Sequence, residues 1–134
     1  MVAAELARII IDEKNHDQAI VLREKGGQRQ IPIAIGFMEA SSIQMKLSGI
    51  EPPRPLTHDL VVAILAALDA RVESLTIDDM AEGVFFAKLR LRSKAGQLLA
   101  VDCRPSDGVA IAVRLAIPIF VADKIFAQSV INGI

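Results

Sequence analysis

The 134-residue sequence contains no tryptophan, no tyrosine and only five phenylalanines. It therefore lacks the row of aromatic faces on which single-stranded bases stack. Its one cysteine, Cys103, excludes an internal disulfide and suits a reducing compartment. At these spacings that cysteine and the two histidines, His16 and His58, build no zinc site. Neither sign of charge dominates, with 15 Lys and Arg against 16 Asp and Glu. Bulk charge cannot hold nucleic acid on those terms, so any such contact falls to a local patch. The longest wholly apolar run, Leu60 to Leu68, is far short of the roughly 20 residues that span a bilayer. The N-terminus, MVAAELARII, has no basic stretch before an apolar one and does not read as a signal peptide. These absences predict a cytoplasmic protein without membrane association. Walker A, GxGxxG and GxSxG motifs are also missing.

What is present is apolar and orderly. Hydrophobic residues make up 52% of the chain and the mean hydropathy is +0.42. That is more apolar surface than a lone small domain hides easily, which predicts a homo-oligomer. The length fits one domain, residues 1–134. Strands are expected at Val2 to Ile11, Gln18 to Arg23 and Gln30 to Ile35, joined by turns at EKNHDQ and Lys25-Gly26-Gly27-Gln28 as an antiparallel meander. Helical spacing follows from Phe37 to Leu47, with Gly49 as its stop. Three prolines make Ile50 to Leu56 a stiff connector. Thr57 is the expected cap of the next helix, which runs through Leu60 to Leu68 and is apolar on every side. Such a helix belongs in the core or in a subunit interface. Strands at Val72 to Asp78, Val84 to Arg92 and Gln97 to Cys103 precede a helix from Pro105 to Leu115, a short strand at Ile119 to Val121 and a last helix from Asp123 to Gln128. Segregated strands and helices predict an α+β fold, a mainly antiparallel sheet with apolar helices packed against it.

Two helix starts carry the most chemistry. RPLTHD leads into the second helix and RPSD into the third, each pairing Arg-Pro with a hydroxyl residue and an Asp. A helix N-terminus attracts anions through free N–H groups and its dipole. Arg54 and Arg104 beside it would add donors for phosphate, with Thr57 and Ser106 as further contacts. The plainer reading is capping, with the hydroxyls satisfying N–H groups and the Asp residues complementing the dipole. Glu39, Asp59, Asp102 and Asp107 lie at or near element ends. Converging, they could hold Mg²⁺ or Mn²⁺; apart, they are caps and salt-bridge partners. His58 is a candidate proton carrier or a capping histidine. Lys88, Arg90, Arg92 and Lys94 alternate with Leu89 and Leu91, which sets the four cations on one strand face as a stripe roughly 20 Å long. The stripe could follow a phosphate backbone or be balanced by carboxylates of a neighbouring strand.

Three stretches, IPIAIGFMEASSIQMKLSGIEPPRPLTHDL, EGVFFAKLRL and VDCRPSDGVAIAVRLAIPIFV, resemble the bifunctional nuclease domain family, in order and over nearly the whole chain. Gly108 departs from the pattern, where alanine is expected. The resemblance implies nuclease activity on DNA and RNA and a homo-oligomeric α+β domain. Within its motifs lie the residues chosen above. Asp59, Asp107 and either Asp102 or Glu39 are expected around a divalent ion, Arg54 and Arg104 on phosphate, and His58 as proton relay. The alternative is a non-catalytic oligomeric module that binds a small anion or a protein partner.

Overall fold

The computed structural model describes residues 1–129; the last five residues of the expected 1–134 domain lie outside the described residues. The chain forms β1 (Val2–Asp12), β2 (Asp17–Glu24), β3 (Gln30–Ile35), α1 (Phe37–Leu47), α2 (Thr57–Ala67), β4 (Arg71–Ala81), β5 (Val84–Arg92), β6 (Leu98–Cys103), α3 (Pro105–Leu115), β7 (Ile119–Val121) and α4 (Asp123–Ser129). The fold is α+β, as the segregation of strands and helices predicts. Among the described residues no helix is long and apolar enough to cross a membrane.

All seven strands join one sheet in the order β3-β2-β1-β7-β4-β5-β6. It is two antiparallel meanders, β1–β3 and β4–β6, joined through β7. That strand runs antiparallel to β1, with Ala3 opposite Phe120, and parallel to β4, with Thr76 opposite Phe120. Isoleucine and valine at the ends of β7 are buried, as a strand with neighbours on both sides requires. β4 runs further than its apolar centre indicated, to Ala81, because a register shift between Ile77 and Asp79 lets Asp79 pair opposite Phe86.

Alternating apolar residues face one core. Ile20, Leu22, Ile31 and Ile33 come from the first meander and Leu75, Ile77, Ala87, Leu89 and Leu91 from the second. α3 packs over β4 and β5, α1 over β1 and β2, and the two helices lean on each other. α3 lies close to the sheet because residue 108 is glycine. A Cβ there would fall on the Leu75 side chain and come within 3.2 Å of Cys103 Sγ. Gly108, the departure from the family pattern, is thus matched to its neighbours.

Of the two places expected for α2, the core of the chain is not the one it takes. It touches α3, and Val61, Val62 and Leu65 pack partly against the core. Leu60, Ile64 and Leu68, four residues apart on one face, are 53%, 49% and 65% exposed. Its only buried residue is polar, His58. The helix is therefore held by its first turn together with one half-buried apolar face, Val61, Val62 and Leu65.

Candidate active site

Both Arg-Pro…Asp helix starts begin differently in detail from the sequence expectation. Leu56, not Thr57, is the N-cap of α2, so Thr57 opens the helix and is exposed. Arg104 is the N-cap of α3, which leaves Pro105 at the position where a missing N–H costs nothing and buries Ser106. Asp59, the third residue of α2, reaches back to accept the Leu56 N–H at 2.9 Å. Residues 57–59 are thereby set in a rigid first turn, with His58 and Asp59 pointing in different directions.

From that turn runs an unbroken series of hydrogen bonds. Arg114 Nε donates to Asp59 Oδ1 at 2.7 Å, and Arg114 Nη2 donates to Ser42 Oγ at 2.8 Å. Ser42 Oγ meets His58 Nδ1 at 2.7 Å, and His58 Nε2 meets Asp107 Oδ1 at 2.8 Å. Arg104 Nε donates to Asp107 Oδ2 at 2.8 Å, and Arg104 Nη1 lies 2.8 Å from Glu39 Oε1. Seven side chains from α1, α2 and α3 are linked end to end, and the two helix starts meet at His58 and Asp107.

Helix geometry supplies the alignment. Glu39 and Ser42 are three apart on α1, and Asp107 and Arg114 are seven apart on α3, so each pair shares a face. Sequence reasoning assigned no role to Ser42 or Arg114. The available signal for Arg114 was a lone cation in a helix otherwise apolar after Asp107. Its side chain is only 6% exposed.

The middle of the series forms the wall of a cavity of about 330 Å³, lined among others by Glu39, Ser42, Thr57, His58, Arg104 and Asp107. Two helix N-termini open onto it, which favours an anion. Arg104 also borders a second cleft with Ile33, Gly36, Phe85 and Ser106. Its Nε and Nη1 are occupied by Asp107 and Glu39, and among the described residues Nη2 has no hydrogen-bond partner. The electrostatics match. Burial pushes the Asp107 carboxyl up, but hydrogen bonds from Arg104 and His58 outweigh it and hold the group below its ordinary range. The hydrogen bond from Arg114, aided by the Leu56 N–H, lowers Asp59 likewise. Cys103, half-buried under α3 and near Asp102 and Asp107, is pushed up to about 11, so it is a neutral thiol.

Asp59, Asp102 and Asp107 do not gather as a metal site. Asp59 and Asp107 are each closed by an arginine. Asp102 lies opposite Lys88 in the β5–β6 ladder, on the sheet face away from Cys103 and α3. Among the described residues no three His, Cys, Asp or Glu side chains could hold an ion. The described side chains thus form no ready-made ion cage, while Asp107 and Glu39 share the cavity wall, where one or two carboxylates and a substrate phosphate are the usual Mg²⁺ ligands.

Arg54 sits exposed in the connector and makes no ion pair among the described residues. The basic stripe does lie on one strand face, but β4 largely balances it. Lys88 pairs with Asp78 at 2.7 Å and Arg92 with Glu73 at 3.1 Å. Lys94, past the end of β5, approaches Asp69 at 3.7 Å. Arg90 alone of the four has no carboxylate partner among the described residues.

Comparison with known proteins adds kinship. A sequence model described as the bifunctional nuclease domain matches residues 20–133. An uncharacterized protein of Mycobacterium tuberculosis is 40% identical over 121 residues, covering 90% of this chain and 71% of its own length. Bifunctional nuclease 1 of Oryza sativa subsp. japonica is 29% identical over 119 residues, covering 85% of this chain but 35% of the relative. Bifunctional nuclease 1 of Arabidopsis thaliana is 27% identical over 120 residues, covering 88% and 37%.

Proposed function

The chain belongs to the bifunctional nuclease domain family, and from that premise we propose that it hydrolyses phosphodiester bonds of DNA and RNA in the cavity beside His58. The observation that carries this reading is the His58 ring, held by hydrogen bonds at both nitrogens on a cavity wall that also presents Arg104. Asp107 fixes the ring and stabilises it when charged, as an orienting carboxylate does for a catalytic histidine. Arg104 Nη2 and the first-turn N–H groups of α2 take the phosphate, with Thr57 at the rim. Glu39 and Asp107 act on the substrate indirectly, by holding Arg104. Proton transfer through a positioned histidine contributes roughly 10²–10⁴-fold in rate.

The test uses purified protein and its His58→Gln and Asp107→Asn variants, with folding checked by circular dichroism. Each is incubated with labelled single-stranded DNA and RNA in Mg²⁺, Mn²⁺ or EDTA. Cleavage by the parent, falling about 100-fold or more in folded variants, is the expected result. An inactive parent, or folded variants that cut equally well, would sink the reading. Activity that survives EDTA follows from the arginine-closed carboxylates; an absolute metal requirement would return Asp59 and Asp107 to the ligand role.

A further inference from the structure

His58 has no free nitrogen with which to activate water. Asp107 is held below the ordinary carboxyl range, so it is ionised at neutral pH and can only accept. The hydrogen between the two residues therefore sits on His58 Nε2. In a neutral imidazole the other nitrogen is then an acceptor, and what faces Nδ1 at 2.7 Å is the Ser42 hydroxyl. With the ring neutral, Ser42 donates to it. The same oxygen accepts from Arg114 Nη2 at 2.8 Å, and that guanidinium is nearly wholly buried. A hydroxyl whose hydrogen points at an oriented base and whose lone pair points at a fixed cation is arranged to become an alkoxide. Ser41 and Thr57 line the same cavity without such a base, and no other described hydroxyl is hydrogen-bonded to a histidine.

We propose that Ser42 is the nucleophile of this site and that hydrolysis passes through a covalent phosphoseryl adduct. The proposal takes its substrate class from the nuclease reading. In the first half, Ser42 Oγ forms a bond to phosphorus as the bond from phosphorus to the leaving sugar oxygen breaks. The Ser42 proton moves to His58 Nδ1 and from there to that leaving oxygen. In the second half, water oxygen bonds to phosphorus and gives a proton to His58 Nδ1. The Ser42–phosphorus bond breaks and the proton returns to Ser42 Oγ. Asp107 keeps the imidazolium in place, and Arg114 stabilises the serine oxygen whenever it carries charge. A nucleophile supplied by the protein treats DNA and RNA alike, because neither half uses the 2′-hydroxyl.

The probe is an alkyl fluorophosphonate, which phosphonylates an activated serine with loss of fluoride. Parent protein, Ser42→Ala and His58→Gln are treated and read by intact mass and peptide mapping, beside cleavage assays on labelled DNA and RNA. One adduct on the Ser42 peptide of the parent, absent in Ser42→Ala and formed at least about 100-fold more slowly in His58→Gln, is expected. The parent adduct needs no variant to fold. Cleavage without an adduct at Ser42 overturns the serine nucleophile while leaving the nuclease reading in place. An adduct at Ser42 without cleavage of either nucleic acid upholds the nucleophile and removes the nuclease reading.

Discussion

Asp59 and Arg114 lie 55 positions apart and meet at 2.7 Å, where the first turn of α2 touches the last turn of α3. This contact anchors a helix whose apolar body is largely exposed. Removing one member of a buried pair leaves the other uncompensated, at roughly 3–5 kcal/mol. Asp59 keeps a side-chain exposure of 34%, so the low end applies. Arg114→Met should cost about 3 kcal/mol, and adding Asp59→Leu should recover part of it. Guanidinium unfolding of the two variants against the parent measures both.

Acid should weaken the fold through the same groups. Asp59 and Asp107 have folded-state values below the ordinary 3.8, held down by Arg114 in one case and by Arg104 and His58 against burial in the other. The stability they contribute is fully present above 3.8 and is lost as pH falls through the lowered values. Stability followed by urea unfolding should drop below pH 4. The decline should be shallower when both residues are Asn, and an equal slope in the variant would exclude these two carboxyls as its source.

Gly108→Ala sets two effects against each other. Alanine gains about 1 kcal/mol of helix propensity over glycine. Overpacking costs roughly 1–3 kcal/mol when the neighbour cannot yield, and Leu75 is fully buried. A net loss of about 1 kcal/mol is expected. Introduced on a Leu75→Val background, the same alanine should be neutral or stabilising, as a double-mutant cycle by chemical denaturation will register.

The basic stripe should act through one residue. Lys88 and Arg92 are committed to Asp78 and Glu73 and Lys94 faces Asp69, so among the described residues Arg90 is the stripe's cation without a carboxylate partner. Arg90→Ala should weaken binding of long single strands and lower the slope of log K against log salt by about 1. Lys88→Ala should change that slope less. Fluorescence anisotropy across a salt series separates the two.

Much of the secondary structure was legible in the sequence. Period-2 and period-3.6 patterns located β3, α1, β5, α3 and β7 to the residue, because each is bounded by glycine, proline or a turn. Pairing over long distances was not legible. Nothing in Ile119-Phe120-Val121 indicates that it enters the sheet between β1 and β4. The apolar run of α2 argued for burial all round, yet within the chain only Val61, Val62 and Leu65 pack against the core, beside the polar anchors His58 and Asp59. Asp107 and His58 were visible as candidates, while their contact required the fold. Ser42 lay unmarked among small residues of α1, since a serine becomes a candidate nucleophile only through the groups placed around it.

The position of β7 also sets an order in time. The first meander is complete in sequence by residue 35 and the second by residue 103, but the strand between them is made last, at residues 119–121. A chain emerging from the ribosome must keep two open sheet edges, on β1 and β4, until that strand arrives. α3, which brings Asp107 and Arg114 to the site, is synthesised just before it. Exposed edges during synthesis invite capture by neighbouring nascent chains or by a chaperone. Chains arrested before residue 119 should therefore be protease-sensitive along β1 and β4, and chains arrested after the sheet can close should not.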